Sequence, residues 1–175
     1  MPELIAPTVR LHAAWLDARD DWGRGVHQDG SGIARAGDLD SADGFAQWVD
    51  ELCAQEDPAT PLPPGMVHST YRWIVENDRV LGAIALRHEL TESLLNFGGH
   101  IGYGVRPAER RRGLASWALG ETLRVARKRG LDRVLITCRP ANEASRRTIE
   151  RAGGVFEDIR GIGNDRVRRY WIGLS

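Results

Sequence analysis

The chain has almost no lysine, little cysteine and no long apolar run. Lys128 is its single lysine, and the other 23 basic side chains are arginine. That bias reads as genome composition and not as arginine chemistry at every site. Two cysteines, Cys53 and Cys138, give neither a disulfide framework nor metal-ligand spacing, so no metal site is expected. No stretch approaches the ~20 apolar residues of a membrane span. The N-terminus carries no signal-peptide pattern. These absences predict a soluble protein in a reducing, cytoplasmic setting, with no membrane partner. Net charge is also missing, with 24 basic and 24 acidic residues, which argues against a dedicated nucleic-acid binder.

The balance hides an asymmetry. Residues 1–95 carry seven arginines against 16 acids, whereas residues 96–175 carry 17 basic residues against eight acids. A basic half suits an anionic ligand. An acidic half attracts a cationic or polyamine-like acceptor, and Asp29, Asp38, Asp40 and Asp43 in or beside the segment 25–44 are the groups for it. The bland alternative is that they keep a loop soluble. At 175 residues the chain is long enough for one domain with a real core.

Periodicity predicts the elements. Residues 8–24 read as a helix with Leu11, Trp15, Ala18 and Trp22 on one face, and 44–55 as a second with Phe45, Trp48, Val49 and Leu52 in a stripe. Between them lies a Gly-, Asp- and Ser-rich loop, and a proline-rich connector follows at 57–65. From Ser69 the period becomes two. Strands are expected at 71–75, 80–87 and 99–105, with a longer connection at 89–98. A helix follows at 112–129, then an apolar strand at 132–138. Asn142 caps a further helix that ends at Gly153-Gly154. Strands at 155–159 and 166–172 close the chain as a hairpin. The order is that of an α/β layered fold with a mixed sheet.

The richest stretch is Val105-Arg106-Pro107-Ala108-Glu109-Arg110-Arg111-Arg112-Gly113-Leu114-Ala115-Ser116. Pro107 ends a strand, because it has no N–H to donate. A helix starts near Gly113, so the segment from Arg111 to Ser116 presents backbone N–H groups without helical partners. Such donors, at the positive end of a helix dipole, suit a phosphate or pyrophosphate. Gly113 permits close approach, Ala115 keeps the surface open, and Arg110, Arg111 and Arg112 add charge.

The pattern Arg110-x-x-Gly113-x-Ala115, after Val-x-Pro and before a long amphipathic helix, resembles the cofactor signature of the GNAT superfamily of acyl-CoA-dependent N-acyltransferases. The order of elements over 69–175 is similar too. Further likeness, to a bacterial subgroup of predicted acetyltransferases, lies in Arg87-His88-Glu89-Leu90, in Leu94-Leu95-Asn96 through Tyr103, and in Arg169-Tyr170-Trp171-Ile172. The resemblance implies one domain over 1–175. Residues 1–66 would supply helices and an acceptor-side loop, and 67–175 a cofactor-binding core. The sheet would be mixed and mostly antiparallel, with helices on both faces.

The resemblance implies acetyl-CoA as the cofactor, held by Val105, Arg110 to Ser116, Asn142 and Ser145. Asn142 would lie by the pantetheine arm and Ser145 near phosphate. Both also read as ordinary first-turn or capping residues. Gly102 and Gly104 weaken a strand and so mark a bulge or a close backbone approach. The resemblance places pantetheine in a gap beside this strand, with the Val105 N–H polarising the thioester carbonyl.

A base must deprotonate the amine. Glu89 and His100 are the candidates, with Tyr103 a third polar group. Many relatives carry a tyrosine seven residues after the asparagine as general acid. Here that position is Ile149, which leaves an unassisted thiolate, donation by another group such as Tyr170, or no efficient catalysis. The expected function is acetyl transfer to a small-molecule or peptide amine in a ternary complex. Alternatives are a non-catalytic acyl-CoA-binding or sensing module and a phosphate module for another nucleotide. The absence of Gly-x-x-x-x-Gly-Lys-Ser/Thr weakens the last. Oligomeric state is left open, a homodimer included.

Overall fold

A computed structural model describes residues 1–175. Seven strands and four α-helices follow in the order β1 (Glu3–Ile5), α1 (His12–Trp22), α2 (Ala42–Ala54), β2 (Ser69–Glu76), β3 (Arg79–Arg87), β4 (Ile101–Val105), α3 (Leu114–Lys128), β5 (Arg133–Cys138), α4 (Glu143–Arg151), β6 (Val155–Arg160) and β7 (Val167–Gly173). The expected elements are present, with ends shifted by a few residues, the usual uncertainty at frayed termini. β1 was not expected. Three residues are too few for an alternation to be read, and its place comes from pairing Leu4 with Ile74.

The strands form two antiparallel sheets, β1-β2-β3-β4 and β5-β7-β6. Every ladder is antiparallel, in keeping with the mostly antiparallel sheet expected. Helices cover both faces. On one face α1 and α2 bury Trp15, Phe45 and Trp48 against Trp73, Val75 and Ala83. The Trp15 and Trp48 rings meet edge to face at 5.0 Å. Aromatic pairs of this kind contribute about 0.5–1.5 kcal/mol beyond area burial. On the other face Ile74, Ile84 and Leu86 pack with Leu119 and Ala126 of α3 and with Ile149 of α4. The alternation of β2 explains the division, because Trp73 and Ile74 point to opposite faces.

β4 and β5 share no ladder. The two sheets meet at His100, whose N–H donates to the Leu135 carbonyl at 2.7 Å. Its ring Nδ1 accepts the Leu135 N–H at 2.8 Å. Beyond that clip the sheets part. Arg106, at the end of β4, is nearly buried and donates to Asp17 at 2.8 Å and Asp21 at 2.9 Å. This pair of contacts fixes α1 across the end of the sheet.

Candidate active site

The parting of the sheets opens a cleft of about 1510 Å³. Its strand wall follows from the parity of β4. Arg106 N–H donates to Leu81 O and Arg87 N–H to His100 O. The bonded pairs therefore alternate through Gly104 and Gly102, and the backbone groups of Tyr103 and Val105 point away from β3 into the cleft. Val105 was expected to present its backbone there. Its carbonyl accepts from Arg110 Nε at 3.0 Å.

The loop before α3 turns sharply, with positive φ at Arg111 (66°) and at Gly113 (76°). Positive φ at a non-glycine residue is uncommon and is held here by the surrounding loop. A Cβ at Gly113 would meet nothing within 4 Å, so glycine serves the turn and leaves the loop surface open. The first backbone bond of α3 is Trp117 N–H to Gly113 O at 3.0 Å. Leu114, Ala115 and Ser116 thus offer N–H groups with no helical acceptor, and all three line the cleft. Arg110 and Arg111 line it too, and the Arg110 guanidinium lies 4.9 Å from the centre of the Trp22 ring. These donors and charges fit a pyrophosphate.

Arg112 does not belong to this set. Its guanidinium donates to Glu76 at 2.7 Å and to Glu109, and it lies outside the cleft lining. It braces the loop from behind. On the other wall Asn142 caps α4 by accepting the Ser145 N–H at 3.1 Å. Ser145 Oγ lies 2.9 Å from the Tyr103 hydroxyl. Burial pushes the Tyr103 phenol up to about 12, against the effect of that hydrogen bond.

The three side chains expected to do chemistry lie elsewhere. His100 is buried outside the cleft lining and its Nδ1 is occupied by Leu135. Burial, with the charges of Arg87 and Arg133, lowers its pKa to about 4, so it is neutral and clips the sheets together. Glu89 is exposed beyond the end of β3 and lines no part of the cleft. Tyr170 is fully buried in the core against Phe156, its hydroxyl accepting from Arg168 at 3.3 Å. Ile149 is likewise core.

The loop at 27–35 closes the cleft over β4. A Cβ on Gly30 would lie 2.2 Å from Gly102 O, and one on Gly104 would lie 3.3 Å from Asp29 O. Gly102 is therefore there for a close backbone approach by this loop, and Gly104 for the Trp22 ring at 3.1 Å as well as the loop. The cleft gains His27, Gln28, Asp29 and Arg35 from the loop, and Tyr71 and Arg87 from the sheet. His27 Nε2 is 2.9 Å from Asp29 Oδ1. A loop gives no periodicity from which such placements can be read. The one available signal was Gly30 matched to Gly102 and Gly104.

The acidic rim is smaller than expected. Asp38, Asp40 and Asp43 lie outside the cleft, and Asp40 is held by Arg19 at 3.0 Å and Arg24 at 3.1 Å. Only Asp29 of the four faces the cleft.

Comparison with known proteins agrees with this geometry. Residues 34–155 match the family model of the acetyltransferase (GNAT) domain. The chain is similar to an acetyl transferase of Salmonella typhimurium that modifies the N-terminal serine of the 50S ribosomal subunit protein L7/L12. The TM-score is 0.68 at 16% identity, covering 99% of this chain and 95% of that one. It is also similar to Mycobacterium smegmatis RimJ in complex with CoA-disulfide, with a TM-score of 0.73 at 17% identity over 98% of this chain and 81% of that one. A third likeness is to yncA of Salmonella typhimurium with acetyl-CoA, with a TM-score of 0.64 at 15% identity over 99% and 94%. No curated protein sequence matches. No helix is long and apolar enough to cross a membrane. With a family model covering well over half of its length, the chain belongs to the GNAT family of acetyltransferases.

Proposed function

We propose that the protein transfers the acetyl group of acetyl-CoA to an amine by direct attack, with both substrates in one cleft. The observation that carries this reading is the junction of two donor sets. The inward backbone of Tyr103 and Val105 opens on the same cleft as the N-terminus of α3. When bound, acetyl-CoA supplies an activated thioester. Leu114, Ala115 and Ser116 N–H groups, with Arg110 and Arg111, hold its pyrophosphate. The Val105 N–H stabilises negative charge developing on the carbonyl oxygen. That CoA ligands accompany structurally similar proteins supports the donor. That one of these modifies an N-terminal serine supports an amine acceptor, either a small molecule or a peptide.

His27 replaces Glu89 and His100 as the base in this reading. It is the only histidine lining the cleft. Asp29 accepts its Nε2–H, which leaves Nδ1 with a free lone pair. The backbone of Asp29 rests against Gly104, next to Val105, so the pair stands over the reacting end of β4.

Tyr103 takes the part assigned to a tyrosine at position 149. Its hydroxyl reaches the first turn of α4 at Ser145. A phenol at about 12 donates a hydrogen bond to a departing thiolate and keeps its own proton, because the ordinary thiol value is ~8.5.

The test is acetyl-CoA turnover over a panel of amines, with CoA affinity measured by calorimetry. His27→Gln should lower turnover by ~10²-fold with CoA affinity little changed. Tight CoA binding with no acetylation of any amine would favour a non-catalytic sensing module. Failure to bind CoA would remove the reading altogether.

A further inference from the structure

The acceptor side of the cleft holds hydrogen-bond donors that the protein itself leaves unused. Tyr71, Ala85 and Gly102 stand side by side across β2, β3 and β4, because Tyr71 is registered with Ala85 and Ala85 with Gly102. The loop crosses this row, with Gly30 on Gly102 and Gly32 against the Tyr71 ring. Two residues further along β3, on the same face as Ala85, Arg87 lines the cleft.

Arg87 is half-buried, and burial pulls its pKa down. Its Nη1 donates to the carbonyls of Gly98 at 3.2 Å and Gly99 at 3.0 Å, and it forms no ion pair. The one carboxylate that acts on it, from a distance, is Asp29, which is bonded to His27. Arg35 also faces the cleft without an ion pair, and the charges of Arg87 and Arg35 both act on the Tyr71 hydroxyl. Gln28 is 8% exposed, lines the cleft, and has no partner for its buried Nε2. A buried amide donor without an acceptor is costly and rare in native structures. A buried cation without a counter-charge is costlier still. Two guanidinium groups without a counter-charge, the half-buried Arg87 and the exposed Arg35, thus face the cleft near the Tyr71 hydroxyl, and an anion there would pair with both.

We propose that Arg87 and Arg35 bind an anionic group of the acceptor, a carboxylate or a phosphate, remote from the reacting amine. This rests on the acetyl-transfer reading above. Arg87 is level with His100, and Val105 lies five residues further along the strand direction, about 16 Å away at ~3.3 Å per residue. The Arg87 guanidinium bonds the Gly98 and Gly99 carbonyls, on the far side of His100 from Val105, so its side chain does not shorten that separation, the span of about five extended residues. An α-amino acid, whose carboxylate lies beside its amine, cannot bridge it. The acceptor is a longer amine with its negative charge four or five residue-lengths away.

Short peptides with free N-termini and amidated C-termini are rulers for this distance. Glu, phosphoserine, Gln or Lys is placed at each position from the second to the sixth, and KM is measured at saturating acetyl-CoA. Glu or phosphoserine at the fifth or sixth position should lower KM at least ~10-fold relative to Gln, and Lys should raise it. The order of Glu and phosphoserine tells carboxylate from phosphate. Arg87→Gln should abolish the preference with CoA affinity within ~2-fold of wild type. If Arg87→Gln disturbs the 98–99 turn that it bonds, Arg35→Gln, which breaks no internal bond, should still reduce the preference several-fold. Equal KM for Glu, Gln and Lys peptides, or a preference that survives both variants, overturns the proposal. Acetylation of amines without charge preference refutes this site alone. No acetylation of any amine refutes the catalytic reading beneath it.

Discussion

Gly113→Asp puts a negative charge where the account places a pyrophosphate. The position has φ of 76° and no atom within 4 Å of a new Cβ, so the side chain has room. A non-glycine residue there costs about 1–2 kcal/mol of backbone strain, with Asp among the best tolerated. An acidic residue capping α3 offsets part of that, by capping and by the helix dipole. The fold should therefore survive, with Tm within about 4 °C of wild type. CoA binding should not survive. Two like charges ~4 Å apart repel by about 4 kcal/mol at an effective dielectric of ~20, or ~10³-fold in affinity. Solvent screens this exposed loop, so a loss of at least ~10²-fold is expected by calorimetry. Gly113→Asn, with the same shape and no charge, should lose no more than ~10-fold. An Asp variant that binds CoA within threefold of wild type would refute the site. Equal losses for Asp and Asn would refute the electrostatic argument.

Four further outcomes follow from the structure. His100→Ala leaves the Leu135 N–H without an acceptor and opens a void, and should cost about 2–4 kcal/mol by denaturant unfolding while kcat of the folded protein stays within ~3-fold; a ~10²-fold fall in kcat at unchanged stability would restore His100 to the chemistry. The same residue sets a pH dependence. Its folded pKa of about 4 lies below the unfolded ~6.5, so its contribution of about 3 kcal/mol is present above pH ~6.5 and is lost as pH falls towards 4, a loss that His100→Ala should lack in pH-dependent melts. Gly30→Ala drives a methyl into Gly102 O at positive φ and should destabilise by about 1–3 kcal/mol and raise acceptor KM more than CoA Kd; unchanged kinetics and Tm would detach the loop from the site. Tyr103→Phe should lower kcat ~10-fold or more without weakening CoA, and wild-type turnover would leave the thiolate unassisted.

The cofactor end of the site was legible because it is local. Arg110, Gly113 and Ala115 lie within six residues, and a proline, a glycine and a helical period each carry a short-range signal. Helices and strands were legible for the same reason, β1 excepted. The acceptor end is assembled from distant segments. His27 and Gln28 come from a loop without period, and Arg87 faces the cleft because of strand parity and the register of three strands. The place of His100 between the sheets was illegible for a related reason. A histidine that titrates near neutrality when free is indistinguishable in sequence from one whose Nδ1 is filled by a backbone N–H 35 residues away. Gly102 and Gly104 announced a close approach, but not that Gly30 makes it.

The central claim is that acetyl-CoA lies between the parted sheets with its pyrophosphate on the N-terminus of α3. Backbone amide chemical shifts of isotopically labelled protein, followed during CoA titration, test it most directly. The account predicts the largest changes at Val105 and at Gly113 to Ser116, with smaller ones at Asn142 and Ser145 and little at Glu89 or Tyr170. Saturable shifts confined to other residues, with Val105 and Gly113 to Ser116 unmoved, would contradict it.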